Sequence, residues 1–314
     1  MRAAVIDRFG PDARFRMAEL PTPEPVRGQL RLRIEAAGVN PVDAEIRAGS
    51  VPLIQAARFP MVLGWEAAGV IDAVGEGVTG WSVGDPAMCF SVYRLTQVGM
   101  YGDHVVLGAE AFASCPYNMD SVAAATLPAA GLTALQALEA ISVSAGDRLL
   151  VMGAAGAVGG AITEIAVARG AEVIACVSAA DIGRARELGA VHVVDRCDDV
   201  VALVRELTGG GADAAIDAAQ GGAAKAAFDS VRDNGRFCTI VPASVPASGR
   251  GIDPITVIVQ SDGAQMRELA RLASEGAVTA RVSRVLSLED AAKAHELVMA
   301  GGLAGKVVLR VEAA

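Results

Sequence analysis

Hydrophobic and polar positions along this 314-residue chain fall into two textures. In the first third they alternate over short runs. Gln29-Leu30-Arg31-Leu32-Arg33-Ile34-Glu35 puts an apolar side chain at every second position, the period of a half-buried strand. Met1 to Asp7 reads as another strand, and so does Glu66 to Gly75, which is followed by turn signals at Gly77, Gly80 and Gly84-Asp85-Pro86. From residue 148 onward, short apolar runs alternate with helical patterns instead. Strands are predicted over Arg148–Met152, Glu172–Val177, His192–Asp195, Ala214–Asp217, Arg236–Val241 and Ile255–Val259, with helices over 200–207 and 223–232 between some of them. Such alternation predicts a parallel, doubly wound sheet. A helical stretch over 121–141, broken near Pro128 and Gly131, joins the two textures. Two amphipathic helices and a strand at Lys306–Val311 close the chain.

The fold class is therefore α/β. We expect a β-rich, barrel-like domain over residues 1–121, a dinucleotide-binding domain over 122–262, and a return to the first domain over 263–314, with the active site in the cleft between the domains.

The predicted strand at Arg148–Met152 runs directly into Gly153-Ala154-Ala155-Gly156-Ala157-Val158-Gly159 and then into an alanine-rich helix. Gly156 would let backbone approach a diphosphate, and Gly159 would let the helix sit closely on the sheet. The helix start offers unpaired N–H groups to phosphate oxygens. Ala154 stands where the first glycine of the G-x-G-x-x-G pattern belongs, so the loop depends on its strand–turn–helix context. A glycine-rich turn in another kind of α/β protein is the competing reading. A nucleoside-triphosphatase loop is excluded, because Gly159-Gly160-Ala161 offers no lysine and no Ser/Thr for magnesium.

Composition narrows the class. With 53% hydrophobic and 20% charged residues, the chain is an ordinary globular protein, long enough for two cores. No apolar run is long enough to cross a membrane. The N-terminal segment has neither the apolar core nor the cleavage site of a signal peptide, so a cytoplasmic protein is expected. A net charge of −9 without a basic run argues against nucleic acid and anionic membranes. Cys89, Cys115, Cys176, Cys197 and Cys238 form no C-x-x-C pair and read as reduced core residues.

Four segments carry a family resemblance: Ala36-Ala37-Gly38-Val39-Asn40-Pro41-Val42-Asp43, Leu63-Gly64-Trp65-Glu66-Ala67-Ala68-Gly69-Val70, Leu127-Pro128-Ala129-Ala130-Gly131-Leu132-Thr133-Ala134 and Gly305-Lys306-Val307-Val308-Leu309. In their order, over essentially the whole chain, they resemble the medium-chain dehydrogenase/reductase superfamily, and within it the zinc-independent quinone oxidoreductase branch. The resemblance implies a GroES-like substrate domain followed by a Rossmann domain. It also implies hydride transfer from a nicotinamide cofactor to a carbonyl or an activated double bond. Zinc enzymes of the superfamily use Cys, His and Cys as catalytic ligands, and here those positions hold Asn40, Trp65 and Ala129, with only Glu66 nearby. The cysteine run of the structural zinc is absent, and His104, His192 and His295 are isolated, so no metal is expected. Without a Lewis acid, reduction of a quinone or enone suits the site better than alcohol oxidation.

For catalysis the resemblance points to Asn40, Asp43, Glu45 and Thr133. Asn40 can donate to a substrate oxygen, although Asn40 and Asp43 could equally cap a helix. Glu45 stands where the branch often carries Tyr or Lys; as a carboxylate it must be a perturbed acid, or else the proton arrives through water. Thr133 matches a position on the nicotinamide side of the cofactor, or it is a hydroxyl at a helix start. Tyr93 and Tyr101 are further phenol donors, with Tyr101 expected to begin a strand as a core residue. None of Tyr93, Tyr101 and Tyr117 precedes a lysine by four, which removes a short-chain dehydrogenase mechanism.

The expected cofactor contacts are Thr133, Gly153, Ala155, Gly156, Ala157, Val158, Gly159, Ala218 and Val241, together with a ribose subsite at Ser178, Arg184 and Arg196. Val177 ends the second strand where NAD enzymes carry an acid, and either arginine could pair with a 2′-phosphate, so NADPH is expected over NADH. Asp181 argues the other way, and either arginine could simply be solvated. The leading reading is an NADPH-dependent quinone or enone reductase acting on a small molecule. An enoyl-thioester reductase of a polyketide-like or fatty-acid-like pathway and a low-turnover NADPH-binding regulatory protein compete with it. A homodimer formed through the apolar 255–259 edge is also expected.

Overall fold

The computed structural model describes residues 1–53, 56–219, 221–242 and 245–312. They form two compact units. The first comprises Met1–Ala129, Gln260–Gly276 and Ala280–Ala314, and the second Ala130–Val259 with Ala277–Thr279.

In the first unit the alternating run becomes the long strand Gln29–Val39. Its early residues alternate between buried and half-buried, and its last four are all buried, because the strand ends inside the sheet. It pairs antiparallel with Glu66–Val74 on one side and Lys306–Arg310 on the other, so the chain's last strand closes onto its third. The rest of this sheet comprises Pro86–Phe90, Phe112–Ser114, His104–Gly108 and Val282–Ser287. A second sheet joins Arg2–Ile6 to Arg16–Glu19 and Met61–Val62. Buried Leu30, Leu32, Ile34, Ile71, Met88 and Phe90 supply the core.

The second unit carries six parallel strands, ordered 192–195, 172–177, 148–152, 212–217, 231–239 and 255–256. Numbered along the chain this is 3-2-1-4-5-6, the doubly wound order whose direction reverses between the strands at 148–152 and 212–217. The core on one face gathers Leu150, Ile174, Val204, Ala215, Phe228 and Phe237.

Several expected elements shift. The helical stretch over 121–141 is two helices, Ser121–Ala124 and Pro128–Ala140, and the second runs through Gly131 without a break. The short helix belongs to the first unit, where the Ser121 hydroxyl donates to Glu35 at 2.6 Å. The helix expected over 223–232 stops at Asp229, because Val231 already pairs with Ala212 as the first residue of the next strand. The apolar run at 255–259 contributes only Ile255–Thr256 to the sheet. Tyr101 is fully buried but lies before the strand, which begins at His104. Cys89, Cys176 and Cys238 are buried, Cys115 is half-buried, and Cys197 is exposed rather than core. No described helix is long and apolar enough to cross a membrane.

Candidate functional site

In the second unit, the strand Arg148–Met152 ends at Gly153, whose φ of 71° lies in the left-handed region. Helix Ala157–Ala168 starts behind Gly156, which caps it without a side chain, so the first-turn N–H groups have no intrahelical acceptor. A Cβ on Gly159 would lie 2.1 Å from the Gly153 carbonyl oxygen, so only glycine allows this approach of helix to strand. The expected departure at Ala154 is absorbed one residue earlier: Gly153 takes the left-handed turn and Ala154 is fully buried. Ala155 is buried, Ala157 and Val158 are half-buried, and Gly156 is exposed at the rim of this cradle.

Asp217, which sequence reasoning did not single out, ties the neighbouring turns together. It ends the strand Ala212–Asp217 and accepts the Ala219 N–H at 3.2 Å and the Thr239 hydroxyl at 3.2 Å. That hydroxyl in turn accepts the Val241 N–H at 2.9 Å. Burial raises the Asp217 carboxyl above its ordinary value. The Ala218 carbonyl oxygen lies 3.1 Å from where a Cβ on Gly153 would be. The turns carrying Gly153, Ala218 and Val241 thus converge at the C-terminal ends of three strands, the usual ligand end of an open parallel sheet.

At the end of the strand Glu172–Val177, the Ser178 hydroxyl donates to Asp181 at 2.6 Å, and Arg184 pairs with the same carboxylate at 3.2 Å. Arg196 is exposed, and its backbone N–H reaches the Val177 carbonyl at 2.8 Å. Ser178, Asp181 and Arg184 therefore form one cluster, and Arg196 is tied to it through Val177.

In the first unit, strand register lines up three polar groups. Val307 lies opposite Val39, and Gly38 lies opposite Glu66, so Lys306, Asn40 and Glu66 fall side by side across three neighbouring strands. The Lys306 ammonium donates to the Asn40 amide oxygen at 2.7 Å and to Glu66 Oε1. Asn40 Nδ2 donates to Glu66 Oε1 at 3.0 Å, and the Ala129 N–H donates to Glu66 Oε2 at 2.7 Å. Gly38 makes room for this, since a Cβ there would lie 2.5 Å from Glu66 Oε1. Glu66 and the Lys306 side chain are almost wholly buried, whereas Asn40 is half-buried at the end of its strand.

Asn40 also caps helix Pro41–Ala48, and Asp43 at its third position accepts the Asn40 N–H at 2.8 Å and the Gly64 N–H at 3.1 Å. Asp43 is fully buried, and burial pushes its carboxyl up to about 7 against the opposing pull of the Asn40 N–H and the Tyr101 hydroxyl. Tyr101 lies 3.3 Å from His295 Nε2, and burial pushes that imidazole down to about 3. Asp43 is thus a buried brace between the helix and the loop that leads into strand Glu66–Val74. Glu45 is half-buried two residues further along the helix and is not in this network among the described residues. Thr133 is buried in the second turn of helix Pro128–Ala140, too far along to cap it. Trp65 packs on Phe90 and Tyr93, with ring centroids 6.0 and 6.4 Å apart. The Tyr93 hydroxyl and Trp65 Nε1 are buried without a hydrogen-bond partner among the described residues.

Lys306 lies in the Gly305–Leu309 segment of the family resemblance, but its place beside Asn40 and Glu66 emerges only in the folded chain. The available signal was a lysine opening an otherwise apolar strand, Lys306-Val307-Val308-Leu309.

Residues 26–117 match the family described as alcohol dehydrogenase GroES-like domain, and residues 188–309 the family described as zinc-binding dehydrogenase. A 2-haloacrylate reductase from Burkholderia sp. is 31% identical over 99% of both chains. A chloroplast envelope quinone oxidoreductase homolog from Arabidopsis thaliana is 26% identical, covering 93% of this chain and 92% of its own. A mycobacterial structure complexed with NADPH superposes with a TM-score of 0.86 at 30% identity, over 99% of this chain and 100% of the other. The second family description names zinc, and the donor set here does not fit that ion. Asn40, Trp65 and Ala129 offer no thiolate, imidazole or carboxylate, and both Glu66 oxygens are engaged by N–H donors. No group of three or more His, Cys, Asp or Glu among the described residues could hold a metal ion.

Proposed function

The chain belongs to the medium-chain dehydrogenase/reductase superfamily, and from that premise we propose a zinc-independent oxidoreductase that uses NADPH to reduce a quinone or an α,β-unsaturated carbonyl compound. The observation that carries this reading is the Asn40 amide held by Lys306 and Glu66, at the position to which the family resemblance assigns a metal ligand in zinc enzymes. Bound NADPH supplies the hydride. Everything else falls to the protein's own groups. Gly153, Gly156 and Gly159 open the backbone to a diphosphate, and the first turn of helix Ala157–Ala168 presents N–H groups to it. Asn40 Nδ2 has one hydrogen left after its bond to Glu66, and it donates to the acceptor oxygen on which negative charge develops. A proton from water completes the reduction, so acceptor, hydride and proton balance against NADP⁺ and the reduced product.

The relative that acts as a 2-haloacrylate reductase supports conjugated alkenes as acceptors. For the cofactor, NADPH is favoured because Val177 ends the strand where an acid would read a ribose hydroxyl, with exposed Arg196 tied to it, while Asp181 is already neutralised by Arg184 and Ser178. Exposed Ile255 at the edge strand of the second unit supports a homodimer paired through that edge.

The test follows NADPH absorbance with 1,4-benzoquinone, 2-cyclohexenone, an alkenal and an enoyl thioester. Consumption with the quinone or the enone is expected. Consumption confined to the thioester would move the assignment to an enoyl-thioester reductase. Tight NADPH binding with no consumption at all would make the protein a nucleotide-binding partner.

A further inference from the structure

We propose that Lys306 is a positioning residue whose buried ammonium polarises the Asn40 amide and so takes over, through one intervening group, part of the work of a metal cation. The inference rests on the proposed function, in which Asn40 meets the acceptor oxygen.

Three observations carry it. The ammonium donates to the Asn40 amide oxygen at 2.7 Å, which fixes the amide so that its NH₂ group, not its oxygen, is available to an acceptor. One of the two Nδ2 hydrogens goes to Glu66 at 3.0 Å; the other has no partner among the described residues, and Asn40 is half-buried whereas its partners Glu66 and Lys306 are buried. Finally, the Lys306 side chain is only 5% exposed and that of Glu66 0%, so the charges act through protein and not through water.

A cation bonded to an amide oxygen draws electron density from the nitrogen and makes its N–H groups stronger donors, and a low local dielectric amplifies this. Glu66 makes the arrangement tolerable: an unpaired buried ammonium would be strongly destabilising, and the carboxylate compensates it while also orienting the amide. The Ala129 N–H holds the second Glu66 oxygen at 2.7 Å, which keeps that carboxylate from turning away. No bond is made or broken at Lys306. It acts only through Asn40.

The experiment compares wild type with Lys306→Met/Glu66→Gln. The double variant leaves no uncompensated charge in the core, and the glutamine side chain still offers Asn40 Nδ2 an acceptor oxygen, so the comparison reads removal of the ammonium from the Asn40 amide oxygen. Two readouts are taken. First, turnover is measured with acceptors of falling electron demand, from 1,4-benzoquinone to 2-cyclohexenone. Loss of the ammonium should cost about tenfold with the enone and much less with the quinone, because the weaker electrophile depends more on stabilisation of its oxygen. A purely structural role would lower all acceptors by one factor. Second, the chain has only three asparagines, Asn40, Asn118 and Asn234, so ¹⁵N-asparagine labelling resolves the Asn40 side chain. Its Nδ2 protons should resonate downfield of those of exposed Asn118 and move upfield when Lys306 is replaced. An active wild type with a uniform loss, or with unmoved Asn40 resonances, overturns the role of Lys306 alone. A wild type inert toward every acceptor overturns the proposed function and this role together.

Discussion

Gly159 stands so close to Gly153 that a Cβ on it would lie 2.1 Å from the Gly153 carbonyl oxygen, whereas a Cβ on Gly156 would keep 3.3 Å from the same atom. The two glycines therefore do different work. Gly159→Ala forces strand and helix apart and should cost about 1–3 kcal/mol of stability together with NADPH affinity. Gly156→Ala meets only a tight contact at a φ of −72°, which alanine accepts. It should keep the thermal midpoint and lose NADPH affinity, because its methyl group enters the space a diphosphate needs. Calorimetric melting and fluorescence titration with NADPH check both. A Gly156→Ala protein that binds NADPH normally would remove the cradle from this turn.

Asn40→Ala should lower turnover about 100-fold while leaving NADPH affinity unchanged, since the lost donor acts on the acceptor oxygen and not on the nucleotide. Equal losses in both would show that the residue only supports the fold.

Arg196→Ala should weaken NADPH about tenfold and leave NADH unaffected, because a guanidinium lost from a 2′-phosphate site removes one charge-assisted bond. Asp181→Asn should shift preference further toward NADPH by freeing the Arg184 guanidinium and the Ser178 hydroxyl for the 2′-phosphate. Paired Kd measurements with the two dinucleotides decide, and an unchanged ratio in both variants would assign the ribose subsite elsewhere.

Stability should depend on pH through two buried groups on either side of Tyr101. Asp43 is pushed up to about 7 by burial, so the native state holds its proton more tightly than the unfolded chain. Its contribution is complete below the ordinary aspartate value and is lost as pH rises through about 7. His295 is pushed down to about 3, chiefly by burial and then by Arg47, so its contribution is present above the ordinary histidine value and fades as pH falls toward 3. The slopes oppose one another between about pH 4 and 6.5. Urea unfolding across that range should show Asp43→Asn losing the decline toward neutral pH and His295→Gln losing the acid decline, each by at most about 1.4 kcal/mol per pH unit. Parallel wild-type and variant curves would contradict the assignment.

Prolonged chelation should leave turnover unchanged. Stoichiometric zinc whose removal abolishes activity would overturn the argument from Asn40, Trp65 and Ala129.

Much of the second unit is legible in the chain because its signals are local. Gly153, Gly156 and Gly159 follow an apolar strand at fixed spacing, and the strand at 172–177 is a continuous apolar run after Glu172. The strand Val282–Ser287 is not legible: none of its residues is buried, so backbone pairing with Lys306–Arg310 holds it and no hydrophobic period marks it. The strand starting at Val231 hides behind a helical pattern, and Asn234, with a φ of 58°, interrupts its register. In the candidate site, Asn40 and Asp43 announce themselves as a turn before a helix, but their partners come from distant segments. Gly64 meets Asp43 from 21 positions away. No local pattern encodes such a pairing.

Lys306 follows Asn40 by 266 positions and sits in the last strand of the chain. On the ribosome, Asn40 and Glu66 leave the exit tunnel long before the residue that neutralises their pocket has been translated. A polypeptide terminated early would bury a carboxylate without its counter-ion. Such a fragment would also lack the neighbour that lies along Ala36–Val39 in the sheet, so charge balance and strand pairing depend on the same late segment.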